Sequence, residues 1–169
     1  MPLNVSTVCW MTQPTRDIGA TNPGGFCPDA PEHLRIAARG QHIERWKLSR
    51  ESYPEGRDGY LTWRRDQGRY HAGRVAELMR EAEYGPDDCD RVARIIRKEG
   101  IKRDALVQAL EDVACLVFMR WYFAEFAEGR DPDQVYQIVA RTARKMSADG
   151  RAAAAQLELP ADLVPALDV

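Results

Sequence analysis

Between Gln41 and His71 the chain reads QHIERWKLSRESYPEGRDGYLTWRRDQGRYH, a stretch holding two of its three histidines, two of its four tryptophans and six arginines. Arginine forks grip the oxygens of phosphate or carboxylate in pairs, and an indole or phenol ring stacks on a planar ligand. Histidine supplies a base near neutral pH or a nitrogen for a metal. Charged side chains are costly to bury, and aromatics rarely crowd a solvated surface, so the mixture reads as a polar ligand cleft.

Three groups within the chain could act on such a ligand. His42 sits with Arg39, Arg45 and Trp46 at helical spacing, which puts guanidinium groups and an indole beside an imidazole. Tyr60, Arg64, Gln67 and His71 share a second helical face that continues through Val75 and Leu78 into apolar sequence. Gln108, Glu111, Asp112 and Cys115 share a third, at the threshold of the apolar run VACLVFM. A carboxylate there is expensive unless paired or metal-bound. In the functional reading His42, His71 and Asp112 hold a divalent metal or polarise a water, with Asp112, Glu111 and His71 as the catalytic groups. Arg39, Arg45 and Arg64 clamp an anion, Trp46 or Tyr60 stacks on an attached ring, and Gln108 joins the lining. The structural reading of the same residues is a buried ion pair and two satisfied core histidines. His33 receives no role, and Arg50, Arg57, Arg65 and Arg69 belong on solvated faces.

The elements that would position these groups are helices. At 169 residues one domain is expected, with roughly 70% of the unfolded surface buried on folding. Residues 1–29 lack periodicity and read as an irregular arm, residues 30–157 as the helical domain, and 158–169 as a short tail. Asp29 and Pro31 start a helix running to about Lys47. The turn-rich SRESYPEGRDG follows, then a long helix from about Tyr60 to Tyr84. Gly85 and Pro86 mark the next start, near Gly100 the next stop. Asp104 opens a helix to about Glu128, apolar nearly all round and therefore the buried centre of the bundle. Pro132 starts the last long helix, to about Asp149. No alternating strand pattern appears, so the fold class is all-α, a bundle around one buried helix.

Composition narrows the function. The net charge of -2 disfavours a general nucleic-acid binder. Yet from Arg35 to Arg74 there are ten Arg or Lys against five Asp or Glu, which favours an anionic small molecule as partner. Cys9, Cys27, Cys89 and Cys115 form no CxxC pair, and no disulfide framework is implied. No segment has the ~20 apolar residues of a membrane span, and no secretory signal begins the chain, so the expected location is the cytoplasm. Phosphate-loop, HExxH, GxSxG and kinase signatures are all missing. The rival to an enzyme or small-molecule binder is a non-catalytic module for RNA or a partner protein.

The segments QHIERWKLSRESYP, GYLTWRRDQGRYHA, QALEDVACLVFMRWYFAEF and RTARKMSADGR, in that order, closely resemble the family called domain of unknown function 4202. The resemblance covers about Leu34 to Leu157 and implies a helical domain without an established activity. It also implies an additional N-terminal helix, where this chain offers the irregular Met1 to Cys27. A weaker similarity is to the HD-domain phosphohydrolases, which bind metal through a histidine, a His-Asp pair and a later aspartate. The order His42, His71, Asp112 resembles that series. However, His42 is followed by Ile43 and His71 by Ala72, so the doublet is absent and a ligand is missing unless Glu111, Glu44 or Glu77 replaces it.

Overall fold

Local signals in the chain account for most of the helix boundaries in the computed structural model, which describes Cys27 and residues 29–169. The expected N-terminal arm lies outside the described residues. Every regular element among the described residues is helical. They divide into two compact units, residues 30–99 and residues 100–169, with Cys27 and Asp29 grouped with the second.

In the first unit α1 spans Glu32–Gly40, buries Leu34, Ala37, Ala38 and Gly40, and carries Glu32 at its positive end. It stops well short of Lys47. Glu44 adopts a left-handed backbone with φ of 49°, which no continuing helix tolerates, and Arg45–Lys47 forms a separate 3-10 turn. A second such turn, Arg50–Ser52, is capped by the Ser49 hydroxyl accepting from the Glu51 amide at 3.3 Å. The long helix α2 then covers Gly56–Glu81 and starts four residues before Tyr60. Gly59 makes that early start possible: a Cβ there would lie 1.9 Å from the Pro54 carbonyl oxygen, so the bare α-carbon lets the preceding loop fold onto the helix.

Helix α3, Pro86–Ile96, has Pro86 and two aspartates in its first turn and buries Cys89, Val92, Ala93, Ile95 and Ile96. Both α1 and α2 pack against it. His33 hydrogen-bonds Asp88 at 2.8 Å, and the Tyr84 hydroxyl donates to Glu32 at 2.8 Å, so the start of α1 is pinned twice to the start of α3. Past α3 the chain reverses through Lys98, again left-handed with φ of 57°.

The second unit begins with α4, Ala105–Val117, whose cap Asp104 accepts from the Leu106 and Val107 amides. Leu110 and Leu116 are completely buried, Val113 nearly so, and Val117 only half. The expected helix to Glu128 is interrupted: Phe118–Tyr122 forms a π-helical segment before α5, Phe123–Ala127. That extra-wide turn brings the ring of Phe118 edge-on to Phe123 and Phe126, at 6.1 and 5.4 Å between centroids. Asp131 caps α6, Pro132–Ala143, and Ser147 caps a further helix, α7, over Ala148–Ala154. A final 3-10 turn, Val164–Leu167, packs on α6.

Candidate functional site

The first unit holds a cavity of about 400 Å³ lined by Gln41, His42, Arg45, Arg64, Arg65, Gln67, Gly68, Arg69, His71, Ile96, Arg97, Lys98 and Glu99. Three pieces of backbone build it: the turn after α1, the middle of α2, and the reversal after α3. Gly68 helps to leave the space open, since a Cβ at that position would touch nothing within 4 Å.

His71 lies 2% exposed on the inner face of α2. Its Nδ1 stands 2.7 Å from the Ile43 carbonyl, and because a carbonyl only accepts, Nδ1 carries the hydrogen. The neutral ring then has a bare lone pair at Nε2, which is buried and has no hydrogen-bond partner among the described residues. Burial pushes its pKa down to about 4, against the raising effect of the Ile43 carbonyl, with Arg45 lowering it further. His42 meets it edge-on at 6.2 Å between ring centroids. Burial, followed by the charges of Arg45, His71, Lys98 and Arg64, lowers His42 to about 3. Both rings are therefore neutral near pH 7, and the buried Nδ1 of His42 also lacks a partner among the described residues.

One turn before His71, Gln67 is 2% exposed and fixed from both sides of its amide nitrogen. Its Nε2 donates to the Arg45 carbonyl at 3.0 Å and to the Leu48 carbonyl at 2.9 Å. Both hydrogens are thereby used, which orients the amide and leaves Oε1 as a buried acceptor without a partner among the described residues. The Leu48 carbonyl also accepts from the Trp63 indole at 2.9 Å, so the turn after α1 is clamped to α2 by side-chain donors. Arg45 stacks over Trp63, 4.8 Å from the ring centre. Burial, and then Arg64, lowers its pKa to about 10, while Tyr60 opposes that shift; Arg45 stays charged near pH 7.

The rim is cationic. Arg45, Arg64, Arg65, Arg69, Arg97 and Lys98 face the cavity against a single carboxylate, Glu99. Arg97 pairs with that Glu99 at 2.7 Å, and Arg65 and Arg69 lean on Asp66 at 3.8 and 3.7 Å. Arg64 has no carboxylate within ion-pair distance among the described residues; it makes a long contact, 3.5 Å, to the Tyr60 hydroxyl and lies over that ring, 5.9 Å from its centre.

The expected site residues are distributed unevenly over this arrangement. His42, His71, Arg45 and Arg64 meet in the cavity. Arg39 does not line it and is exposed, because α1 ends at Gly40 and the assumed helical register toward Arg45 is broken. Trp46 is 78% exposed for the same reason. Tyr60 stacks at a tilt on Trp63, 5.9 Å away, without lining the space. Gln67 was placed by spacing on the His71 face, one turn earlier, without a role of its own; Arg65 and Arg69 were expected on solvated faces, and Lys98 was not singled out. Lys98 arrives through a left-handed turn that periodicity does not reveal.

Asp112, Glu111 and Gln108 belong to the second unit. The Asp112 carboxylate, 2% exposed, accepts from the Ser147 amide at 2.8 Å, the Ser147 hydroxyl at 2.6 Å and Gln108 Nε2 at 2.9 Å. Both of its oxygens are engaged in holding the N-terminus of α7 to α4. Gly150 presses on the same carboxylate, where a Cβ would lie 2.7 Å from Asp112 Cγ. Glu111 accepts from the Cys115 thiol at 3.9 Å. Among the described residues no three His, Cys, Asp or Glu side chains are gathered so as to hold a metal ion.

No described helix is long and apolar enough to cross a membrane. No curated protein and no solved structure matches the chain. The family model described as Domain of unknown function (DUF4202) matches residues 11–166, nearly the whole chain, and the protein belongs to that family.

Proposed function

We propose that the first unit binds a phosphorylated or otherwise strongly anionic small molecule in the cavity between α1, α2 and α3. One observation carries this reading: six cationic side chains against one carboxylate surround a concave space of about 400 Å³. Gathering like charges in a partly desolvated pocket is unfavourable, and a bound anion offsets that repulsion. The volume suits a metabolite rather than a polymer. The neutral imidazoles add no charge and leave hydrogen-bonding nitrogens toward the ligand. Binding alone is proposed: Asp112 holds the cap of α7 in the second unit, and among the described residues no group of three ligand side chains is gathered.

The test is thermal unfolding with inorganic phosphate at constant ionic strength. Occupancy stabilises the folded chain by RT ln(1 + [L]/Kd), so the melting temperature should climb steadily with phosphate. Arg64 is exposed, and Arg64→Ala should leave the ligand-free melting temperature nearly unchanged while reducing the phosphate response. A phosphate response identical in Arg64→Ala, or none in the unaltered chain, removes the proposal.

A further inference from the structure

The cavity combines cations with acceptors, and an anion alone does not complement both. Among the described residues His71 Nε2 and Gln67 Oε1 are buried acceptors without a hydrogen-bond partner, on one face of α2 and four residues apart. Neither can rotate into a donor. The His71 tautomer is set by the Ile43 carbonyl, and the Gln67 amide by the carbonyls of Arg45 and Leu48. A ligand presenting only anionic oxygens would confront these acceptors with lone pairs, which is repulsive in a desolvated site. We infer that the pocket takes an anion bearing hydroxyl donors beside its charge, the class represented by a phosphate ester of a sugar or polyol. In that arrangement the Arg45 and Arg64 guanidiniums face the phosphate, and adjoining hydroxyls donate to His71 Nε2 and Gln67 Oε1. The inference rests on the anion-binding reading above and adds the donor requirement to it.

Isothermal titration of the full chain at pH 7.5 and fixed ionic strength tests it, with sodium sulfate, inorganic phosphate and ribose 5-phosphate as titrants. Sulfate is a dianion without a donor, hydrogen phosphate carries one, and the sugar phosphate carries several. Ribose 5-phosphate should bind about tenfold or more tighter than sulfate, with phosphate between them, as one or two buried hydrogen bonds imply. His71→Asn keeps an N–H for the Ile43 carbonyl and deletes the acceptor at Nε2, so it should reduce the preference for ribose 5-phosphate over sulfate about tenfold and leave sulfate affinity unchanged. Equal affinity for all three anions in the unaltered chain overturns the donor requirement and leaves anion binding intact. Heat from none of them overturns the anion-binding reading itself.

Discussion

With its Nδ1 hydrogen committed to the Ile43 carbonyl, His71 offers a bare nitrogen from a position 2% exposed, and a proton added there meets burial and the charge of Arg45. His42 faces Arg45, Arg64 and Lys98 as well, so every neighbouring charge that acts on it opposes protonation. Their folded-state values, about 4 and about 3, lie below the ordinary 6.5, so the unfolded chain takes up protons first. This contribution to stability is complete above pH 6.5 and is lost as pH falls toward those lower values, at up to about 1.4 kcal/mol per pH unit for each histidine. Glu44, held down to about 2 first by the Tyr70 hydroxyl and then by Lys47, acts only below its ordinary 4.5. Urea unfolding between pH 7.5 and 5 should therefore isolate the histidines, with a shallower slope in His71→Asn. A flat profile over that range would mean that both rings take protons in the folded state. The two histidines, Arg45 and Arg64 were legible because the sequence places rare side-chain types in a short stretch. Spacing also put Gln67 on the His71 face, but its role was not legible, since that depends on its carbonyl partners, 19 and 22 residues away.

Among the elements, helix starts were easier to read than helix ends. Asp104, Asp131 and Pro86 mark their positions by side-chain chemistry, whereas α1 stops at Gly40 and the chain turns away through a left-handed Glu44, a conformation that composition does not announce. The π-helical segment at Phe118–Tyr122 likewise adds a wide turn without changing the apolar character of the run. Helix α7 was hidden because Ser147 stands four residues past the end of α6 and read as its continuation. Its cap chemistry exposes the structural role of Asp112: Asp112→Asn should remain folded yet lose about 1–3 kcal/mol in denaturant unfolding, because charge-assisted bonds to Ser147 become neutral or are broken. No measurable change would mean that α7 is held without this carboxylate. Leu116→Ala removes a completely buried side chain from α4 and should cost about 2–5 kcal/mol. A loss below half a kcal/mol would show that the surroundings close over the gap.

For the molecule as a whole, charge asymmetry was more informative than net charge. The chain carries -2 overall, yet its basic stretch folds into the first unit and supplies four of the six cations of one cavity. The other two, Arg97 and Lys98, come from sequence that reads as an ordinary helix terminus. Such a focused field attracts anions from solution and weakens with salt, since the Debye length contracts from ~10 Å at 0.1 M to ~3 Å at 1 M. The described residues form two compact units, and the cationic cavity lies wholly inside the first. That confinement can be read by hydrogen exchange. Ordering a ligand against three backbone segments suppresses their local opening and leaves distant opening events unaffected unless these are coupled to the site. Adding ribose 5-phosphate or phosphate should therefore slow exchange in peptides covering Gln41 to Leu48, Arg64 to His71 and Ile96 to Glu99. Peptides from α4 and α7 serve as the comparison and should change little. Raising sodium chloride to ~1 M should erase most of the protection, because the rim charges that concentrate the ligand are screened. Protection spread evenly over both units, or undiminished by salt, would place the binding energy somewhere other than the arginine rim.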